Sequence, residues 1–270
     1  MAQTLGAGQL VARINSKITS LGIFNFLVQI SIMLKKTKYN LSIIFPCFNE
    51  ENNLEKIISR CKHYSKEIEV IIVNNGSTDN SRSLIHKLLV GVEHIKYADI
   101  QENIGYGHGI MEGVRIASGE VIAWTHADLQ TDPADVLEAY KIFIDHPEYP
   151  NCILKGRRVG RNPLDTLFTG GMSILSTLLL REYFSDVNAQ PKMFHRNFLE
   201  KLTESPKDFS LDLYLLYQAR VHKYQILEHH VNFGKRLYGE SKGGGTLKGK
   251  LRLIQRTWKY MIKLKRELER

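Results

Sequence analysis

The stretch Val121-Ile122-Ala123-Trp124-Thr125-His126-Ala127-Asp128-Leu129-Gln130-Thr131-Asp132 passes from a short apolar β-type run into a cluster of oxygen and nitrogen donors. Pro133 suits the first turn of a following helix, with Asp132 as its N-cap. Ligands of open α/β sheets bind at the carboxyl ends of strands, so a site belongs here. His126, Asp128 and Gln130 alternate, and alternate side chains of an extended segment share a face. The competing reading is a polar strand-to-helix loop without chemistry; the flanking sequence decides between them.

Upstream, Tyr39 to Phe45 reads as a strand halted at Pro46, followed by Asn49, Glu50 and a helix carrying Leu54, Ile57 and Ile58. Glu69 to Val73 is a second strand, ending in Asn74-Asn75-Gly76-Ser77-Thr78-Asp79. Ser81 to Leu89 reads as helix and Ile95 to Ile100 as a third strand, followed by Asn103-Ile104-Gly105-Tyr106-Gly107-His108-Gly109. Met111 to Ala117 is the next helix and Val121 to Trp124 the fourth strand. Strands alternating with helices give right-handed βαβ units and a mainly parallel sheet, with the polar, glycine-rich segments on one edge.

Downstream, Cys152 to Lys155 is a short strand ending in Gly156-Arg157-Arg158, and Phe168 to Leu180 is apolar and helix-like. Ser210 to Val221 has helical spacing, and Ile226 to Phe233 reads as the last strand. Gly243 to Gly245 breaks the chain before a basic helix, Leu247 to Arg270. The expected organisation is an apolar N-terminal segment over 1–38, one α/β domain over 39–242 and a C-terminal helix over 243–270.

With 270 residues, 43% hydrophobic and 24% charged, the chain is globular and core-forming. Its net charge of +9 suits phosphate-bearing ligands or an anionic membrane surface. Aromatic and basic residues do not interleave in a nucleic-acid-binding motif, so no nucleic acid is expected. Cys47, Cys61 and Cys152 have no metal-type spacing and read as reduced thiols of a cytoplasmic protein. Ile18 to Met33 is too short and too polar for a spanning helix and lacks a signal-peptide cleavage site. It reads either as an amphipathic helix on a membrane interface beside Lys35, Lys36 and Lys38, or as a helix packed on the domain or on a second subunit of a homo-oligomer.

Pro46-Cys47-Phe48-Asn49-Glu50-Glu51, Asn75-Gly76-Ser77-Thr78-Asp79, Asn103-Ile104-Gly105, Ser118-Gly119-Glu120 and His126-Ala127-Asp128-Leu129-Gln130 occur in one order and spacing. As a set they resemble family-two glycosyltransferases of the GT-A fold, especially the branch containing dolichol-phosphate mannose synthase, over about residues 39 to 242. The resemblance implies an inverting transferase that moves a sugar from a nucleotide-sugar donor to a polyprenyl phosphate or a lipid-linked or cell-surface saccharide. It implies work at the inner, cytoplasmic face of the membrane. By resemblance, Pro46, Phe48, Glu50, Asn75, Ser77, Asn103 and Gly105 contact the nucleotide. Asn75 stands where the family has an Asp against the base, and an amide both donates and accepts.

His126-Ala127-Asp128 replaces the family's Asp-Xaa-Asp, whose carboxylates hold a divalent cation against the donor diphosphate. Asp128 and Gln130 match the family, and His126 favours Mn²⁺ over Mg²⁺ if it ligates. His126 as a hydrogen-bond donor to phosphate is the other reading. Arg157, Arg236 and Lys242 resemble phosphate-contacting positions, with Gln190 on the acceptor side. Asp212 resembles a late acidic residue near the acceptor, a candidate base with Asp208 as its rival; a helix N-cap is the structural reading of either.

The departures at Asn75 and His126 leave an inactive nucleotide-sugar-binding scaffold as the rival class, and a soluble acceptor as the variant. A dinucleotide oxidoreductase needs Gly-Xaa-Gly-Xaa-Xaa-Gly after the first strand. Here Gly105-Xaa-Gly107-Xaa-Gly109 follows the third, with the wrong spacing.

Overall fold

A computed structural model describes residues 37–160, 170, 176–177, 180–234 and 247–268. Contacts divide the chain into Met1–Lys38 and Tyr39–Arg270, and the fold is that of the second unit. Its elements run β1 (Tyr39–Cys47), α1 (Glu51–Cys61), β2 (Ile68–Asn75), α2 (Ser81–Leu88), β3 (Ile95–Ile100), α3 (Tyr106–Ile116), β4 (Gly119–Trp124), α4 (Asp135–Ile144), β5 (Cys152–Val159), β6 (Lys192–His195), a 3-10 turn (Arg196–Lys201), α5 (Leu211–Val221), β7 (Gln225–Asn232) and α6 (Leu247–Leu268). The sheet has seven strands in the order β3-β2-β1-β4-β6-β5-β7. β6 alone runs antiparallel to its neighbours.

β1 and β2 are apolar almost throughout because both faces of the sheet are covered. Alternate residues feed opposite cores. Ile43, Phe45, Val70 and Ile72 pack with α1, α2 and α4 through Leu54, Ile85 and Phe143. Ile44, Ile71, Val73 and Trp124 pack with α3 and α5 through Ile110, Val114 and Leu215. α6 belongs to this second core, burying Met261 and Leu264.

Several expected boundaries move. β1 continues through Pro46 to Cys47, in register with β2 to Cys47↔Asn74, whereas its register with β4 ends at Ile44↔Trp124. The proline's missing N–H therefore faces a side where the ladder has already stopped. β5 is twice as long as expected, so Arg157 and Arg158 lie inside a strand paired with β7 rather than after one. β6 lies within Asn188 to Arg196, where the sequence marks no strand. α3 begins at Tyr106, inside the segment read as loop. α4 starts at Asp135, with Asp132 Oδ1 accepting from Ala134 N at 2.9 Å one turn early. The expected Phe168 to Leu180 helix lies largely outside the described residues, as does the Ile18 to Met33 segment.

Glycines set the approach of α3 to its neighbours. A Cβ at Gly107 would fall 2.3 Å from the Pro206 carbonyl oxygen, and one at Gly105 (φ +143°) 2.1 Å from that of Lys207. The Lys207 carbonyl also accepts from His108 N at 3.0 Å, so the loop before α5 lies directly on the start of α3.

At the amino ends of the strands a buried carboxylate ties β1, β2, β3 and β4. Glu69 accepts from Ser42 Oγ, from Ser118 N at 2.7 Å and Ser118 Oγ at 2.6 Å, and pairs with Lys96. Ser42 Oγ accepts in turn from Gly119 N at 2.8 Å, and Arg196 donates to the carbonyls of Ala117 and Gly119. The Ser118-Gly119 pair is therefore a structural clasp at the end of the sheet remote from the polar loops.

Candidate functional site

The carboxyl ends of β1, β2 and β3 present loops bound to one another. Asn49 takes the left-handed conformation (φ 55°), donates its N–H to Ser77 Oγ at 3.0 Å and accepts from Thr78 N at 2.8 Å. Glu50 N donates to Ser81 Oγ at 3.1 Å, while its carboxylate accepts from Asn53 at 2.7 Å. Asn75, nearly buried, donates to the Gly105 carbonyl at 3.1 Å, and its Oδ1 has no partner. Asn103 is exposed and accepts from Gly105 N at 3.0 Å. The structure thus gathers Pro46, Phe48, Glu50, Asn75, Ser77, Asn103 and Gly105 along one edge, on loops following three adjacent strands.

The β4 loop does not stay extended. Leu129 has φ 56°, so the strand-like alternation of His126, Asp128 and Gln130 is broken. Asp128, 5% exposed, accepts from Gln130 N at 3.0 Å. The Gln130 side chain turns to the Gly234 carbonyl at 3.1 Å and joins this loop to the end of β7. His126 is half-buried, and loss of solvent holds its pKa below the ordinary value; Asp128 and Asp212 oppose that shift and Arg158 and Lys192 add to it. A neutral imidazole results, competent as a metal ligand. Among the described residues no group of three or more His, Cys, Asp or Glu could hold a metal by itself. The donor set fits a cation only with oxygens from the ligand, with Asp128 as the carboxylate and His126 as the nitrogen.

Beneath that loop lies a buried network. Asp212, in the first turn of α5 and 1% exposed, accepts from Trp124 Nε1 at 3.2 Å and Tyr106 Oη at 3.3 Å, and lies 3.6 Å from Lys192 Nζ. Gln190 sits beside it, its amide oriented to donate to the Trp124 carbonyl at 2.9 Å, while its oxygen shares the single Trp124 Nε1–H with Asp212, at 3.3 Å, and meets the Tyr106 hydroxyl. Tyr106 stacks on Phe209 with ring centroids 4.6 Å apart. Burial, then the neighbouring Asp212, pushes the Tyr106 phenol well above its ordinary pKa. Asp208 is partly buried, and its carboxylate accepts from Ser210 N at 2.9 Å, a capping role at the start of α5.

On β5 the two arginines differ. Arg157 is exposed and paired with Glu228 at 3.1 Å. Arg158 is bonded to Asp186 through both its backbone and its guanidinium, and covers Phe233 at 5.1 Å. Lys155, buried one turn of the pleat away, also pairs with Glu228, at 2.9 Å. Arg236 and Lys242 lie outside the described residues.

The structure therefore brings His126, Asp128, Gln190 and Asp212 into one region, with Arg157 displaced to the exposed edge of β5. Sequence reasoning passed over Lys192, Tyr106, Trp124 and the Arg158–Asp186 pair. The one available signal was a lysine opening the apolar run Lys192-Met193-Phe194.

The family described as Glycosyl transferase family 2 matches residues 42–203, more than half of the chain. Undecaprenyl-phosphate 4-deoxy-4-formamido-L-arabinose transferase of Proteus mirabilis is 31% identical over 101 residues, 36% of this chain and 31% of that protein. The protein of the same name from Pectobacterium carotovorum is 34% identical over 102 residues, with the same coverage. The chain thus spans under a third of the length of these curated relatives. Among solved structures, glucosyl-3-phosphoglycerate synthase of Mycobacterium tuberculosis with Mn²⁺, UDP-glucose and phosphoglyceric acid superposes with TM-score 0.64, at 17% identity, covering 85% of this chain and 80% of that one. A mannosyltransferase of Pyrobaculum calidifontis with GDP-mannose and Mn²⁺ superposes with TM-score 0.55, at 17% identity, covering 78% and 59%. The α/β class and GT-A fold expected from the sequence are the ones these neighbours share.

Proposed function

The chain belongs to glycosyl transferase family 2, and from that premise we propose that it transfers a sugar, with inversion, from a nucleotide diphosphate sugar to a polyprenyl phosphate or another lipid-linked acceptor. The observation that carries this reading is the gathering of the Pro46–Glu50, Asn75–Ser77, Asn103–Gly105 and His126–Asp128 loops at the carboxyl ends of β1 to β4. The activity that names the curated relatives, transfer to undecaprenyl phosphate, supports the acceptor class.

In this reading the first three loops hold the nucleoside, and Asn75 Oδ1, a buried acceptor without a partner in the protein, is the atom left for a base N–H. Asp128 and His126 would hold a divalent cation, Mn²⁺ before Mg²⁺, which when bound neutralises the departing diphosphate. Arg157, Arg236 and Lys242 are the basic residues proposed for phosphate contact. The acceptor approaches from the Gln190 and Asp212 side. Asp212 is enclosed by Trp124, Tyr106 and Lys192, which suits a group that orients the site. A phosphate acceptor brings its own nucleophilic oxygen and needs no strong base.

Attachment is proposed at the cytoplasmic face through the ends of the chain. α6 exposes Lys259, Lys263 and Arg266 and leaves Trp258 38% exposed while burying Met261 and Leu264. No helix among the described residues is long and apolar enough to cross a membrane. Anionic liposomes should therefore bind the protein at low salt and release it as salt rises.

The deciding test is a melting-temperature screen of UDP, GDP, CDP and dTDP sugars with and without Mn²⁺, followed by transfer of the bound sugar to undecaprenyl phosphate in detergent. Metal-dependent stabilisation by one donor and labelled lipid product support the proposal. Stabilisation without transfer to lipid or soluble acceptors would establish the scaffold instead.

A further inference from the structure

Lys192 opens β6 with its side chain wholly buried. An ammonium has three N–H groups and no acceptor; this one donates to the carbonyls of Val187, at 2.7 Å, and Ala189, and its charge lies 3.6 Å from the Asp212 carboxylate. Its backbone is in register with Trp124 of β4 and Lys155 of β5. Asp212 in turn receives the Trp124 indole and the Tyr106 hydroxyl. One cation thus joins the 187–190 segment, β6, α5, β4 and α3 at a point next to the His126–Asp128 loop.

We propose that Lys192 is a positioning residue: its ammonium fixes Asp212, and through Asp212 the Trp124 indole and Tyr106 hydroxyl, and loss of its proton releases that arrangement. The consequence for turnover rests on the proposed function, with the acceptor on the Asp212 side; the structural consequence does not.

The charged and titratable groups facing Lys192 are Asp212 from α5, Lys155 and Arg158 from β5, Asp186 from the segment before β6 and His126 from the β4 loop. Burial lowers the lysine's pKa to about 8; Asp212 and Asp186 oppose the shift, and Lys155 and Arg158 add to it. The proton is therefore lost in mildly alkaline solution, where an exposed lysine keeps it. Of the other neighbours, His126 titrates below its ordinary value and Tyr106 well above its own, while burial lowers Lys155 as well, so the Lys192 substitutions are what assign the titration to Lys192.

The chain has two tryptophans, Trp124 and Trp258. Trp258→Phe therefore leaves an indole bonded to Asp212 as the sole reporter. In that protein Trp124 emission should titrate between about pH 7 and about pH 9.5, the window free of ordinary histidine and tyrosine titration, with a midpoint near 8. Adding Lys192→Arg should hold the emission at its acid level across the window, and Lys192→Met at its alkaline level. Adding Asp212→Asn removes the opposing carboxylate and should move the midpoint down. Circular dichroism checks that each variant is folded, and the methionine and asparagine variants decide the matter if arginine does not fit. Flat emission in the folded Trp258→Phe protein, or a midpoint that survives Lys192→Arg unchanged, overturns the proposal.

Where the protein transfers sugar, kcat should fall through the same midpoint, and Lys192→Arg should extend activity to higher pH. A limb that stays in place overturns the link to turnover. A protein with no transferase activity defeats the proposed function alone, and the emission titration still decides the role of Lys192.

Discussion

At the amino ends of the strands, Glu69 accepts hydrogen bonds from Ser42 and from the N–H and hydroxyl of Ser118, and pairs with Lys96. At the carboxyl ends, Asp212 and Lys192 sit in a network just as buried, and the loops around it leave polar capacity open. Asn75 Oδ1, Thr131 Oγ1 and Ser210 Oγ are enclosed there without partners. The titrations diverge accordingly. Burial alone would raise the Glu69 pKa, but hydrogen bonds from Lys96, Ser118 and Ser42 outweigh it and hold the value below 4.5. Burial prevails at His126 and Lys192, favouring their neutral forms. A cluster that saturates its own donors and acceptors stabilises the fold. One that stops short keeps atoms for something that arrives later.

The sharpest way to break this contrast is at Glu69. Glu69→Ala strands the two serines and unpairs the partly exposed Lys96, and should lower unfolding free energy by about 2–3 kcal/mol in denaturant titrations. Nucleotide affinity should not change. The folded-state pKa is depressed, so the stabilisation is complete above the unfolded value near 4.5 and disappears as pH falls through the lower folded value. Wild type and variant should converge in acid.

Asp128→Asn should do the reverse. Turnover should fall by at least about 100-fold, the scale of losing one group that stabilises developing charge, while the melting temperature holds, because an amide still accepts from Gln130 N. Near-wild-type turnover would remove Asp128 from the site.

His126→Asp distinguishes the two roles of that residue. As a metal ligand, its replacement adds a charged oxygen and should shift preference from Mn²⁺ toward Mg²⁺, by about tenfold in calorimetric affinity. As a phosphate donor, its replacement should weaken the nucleotide diphosphate instead. Equal affinities for metal and donor in both proteins would make the histidine structural.

The smallest effect belongs to Tyr106→Phe. The hydroxyl's contacts with Asp212 and Gln190 are lost while the Phe209 stack is kept, a cost of about 1–2 kcal/mol in chemical denaturation. A change in kcat exceeding the change in stability would tie the network to the reaction.

The first half of the sheet was legible because β1, β2 and β4 are short apolar runs and β3 is a mixed one, each closed by a polar turn. The second half was not. β6 has four residues, and its Lys192 reads as solvated unless one knows that three acceptors converge on it. β5 was cut short at Lys155, because Gly156-Arg157-Arg158 reads as a loop. The glycine admits the close approach of the Gln190 carbonyl, 2.1 Å from where its Cβ would lie. The donor-side loops were found because turn chemistry is local in sequence. The Asp212–Trp124–Tyr106 convergence spans 106 positions, and no local pattern reports it.

The order of the strands also sets a timetable for synthesis. Every pairing partner within β1 to β4 is available once residue 124 has left the ribosome. β5, though made next, has no partner in the sheet until β6 emerges at Lys192 and β7 at Gln225. The apolar run Cys152–Leu154 must therefore wait unpaired while more than thirty further residues are added. At translation rates of about 5–20 residues per second that wait lasts seconds. A ribosome pausing within it would leave the nascent chain with an open edge at β4, and that interval is where a chaperone would have the most to protect.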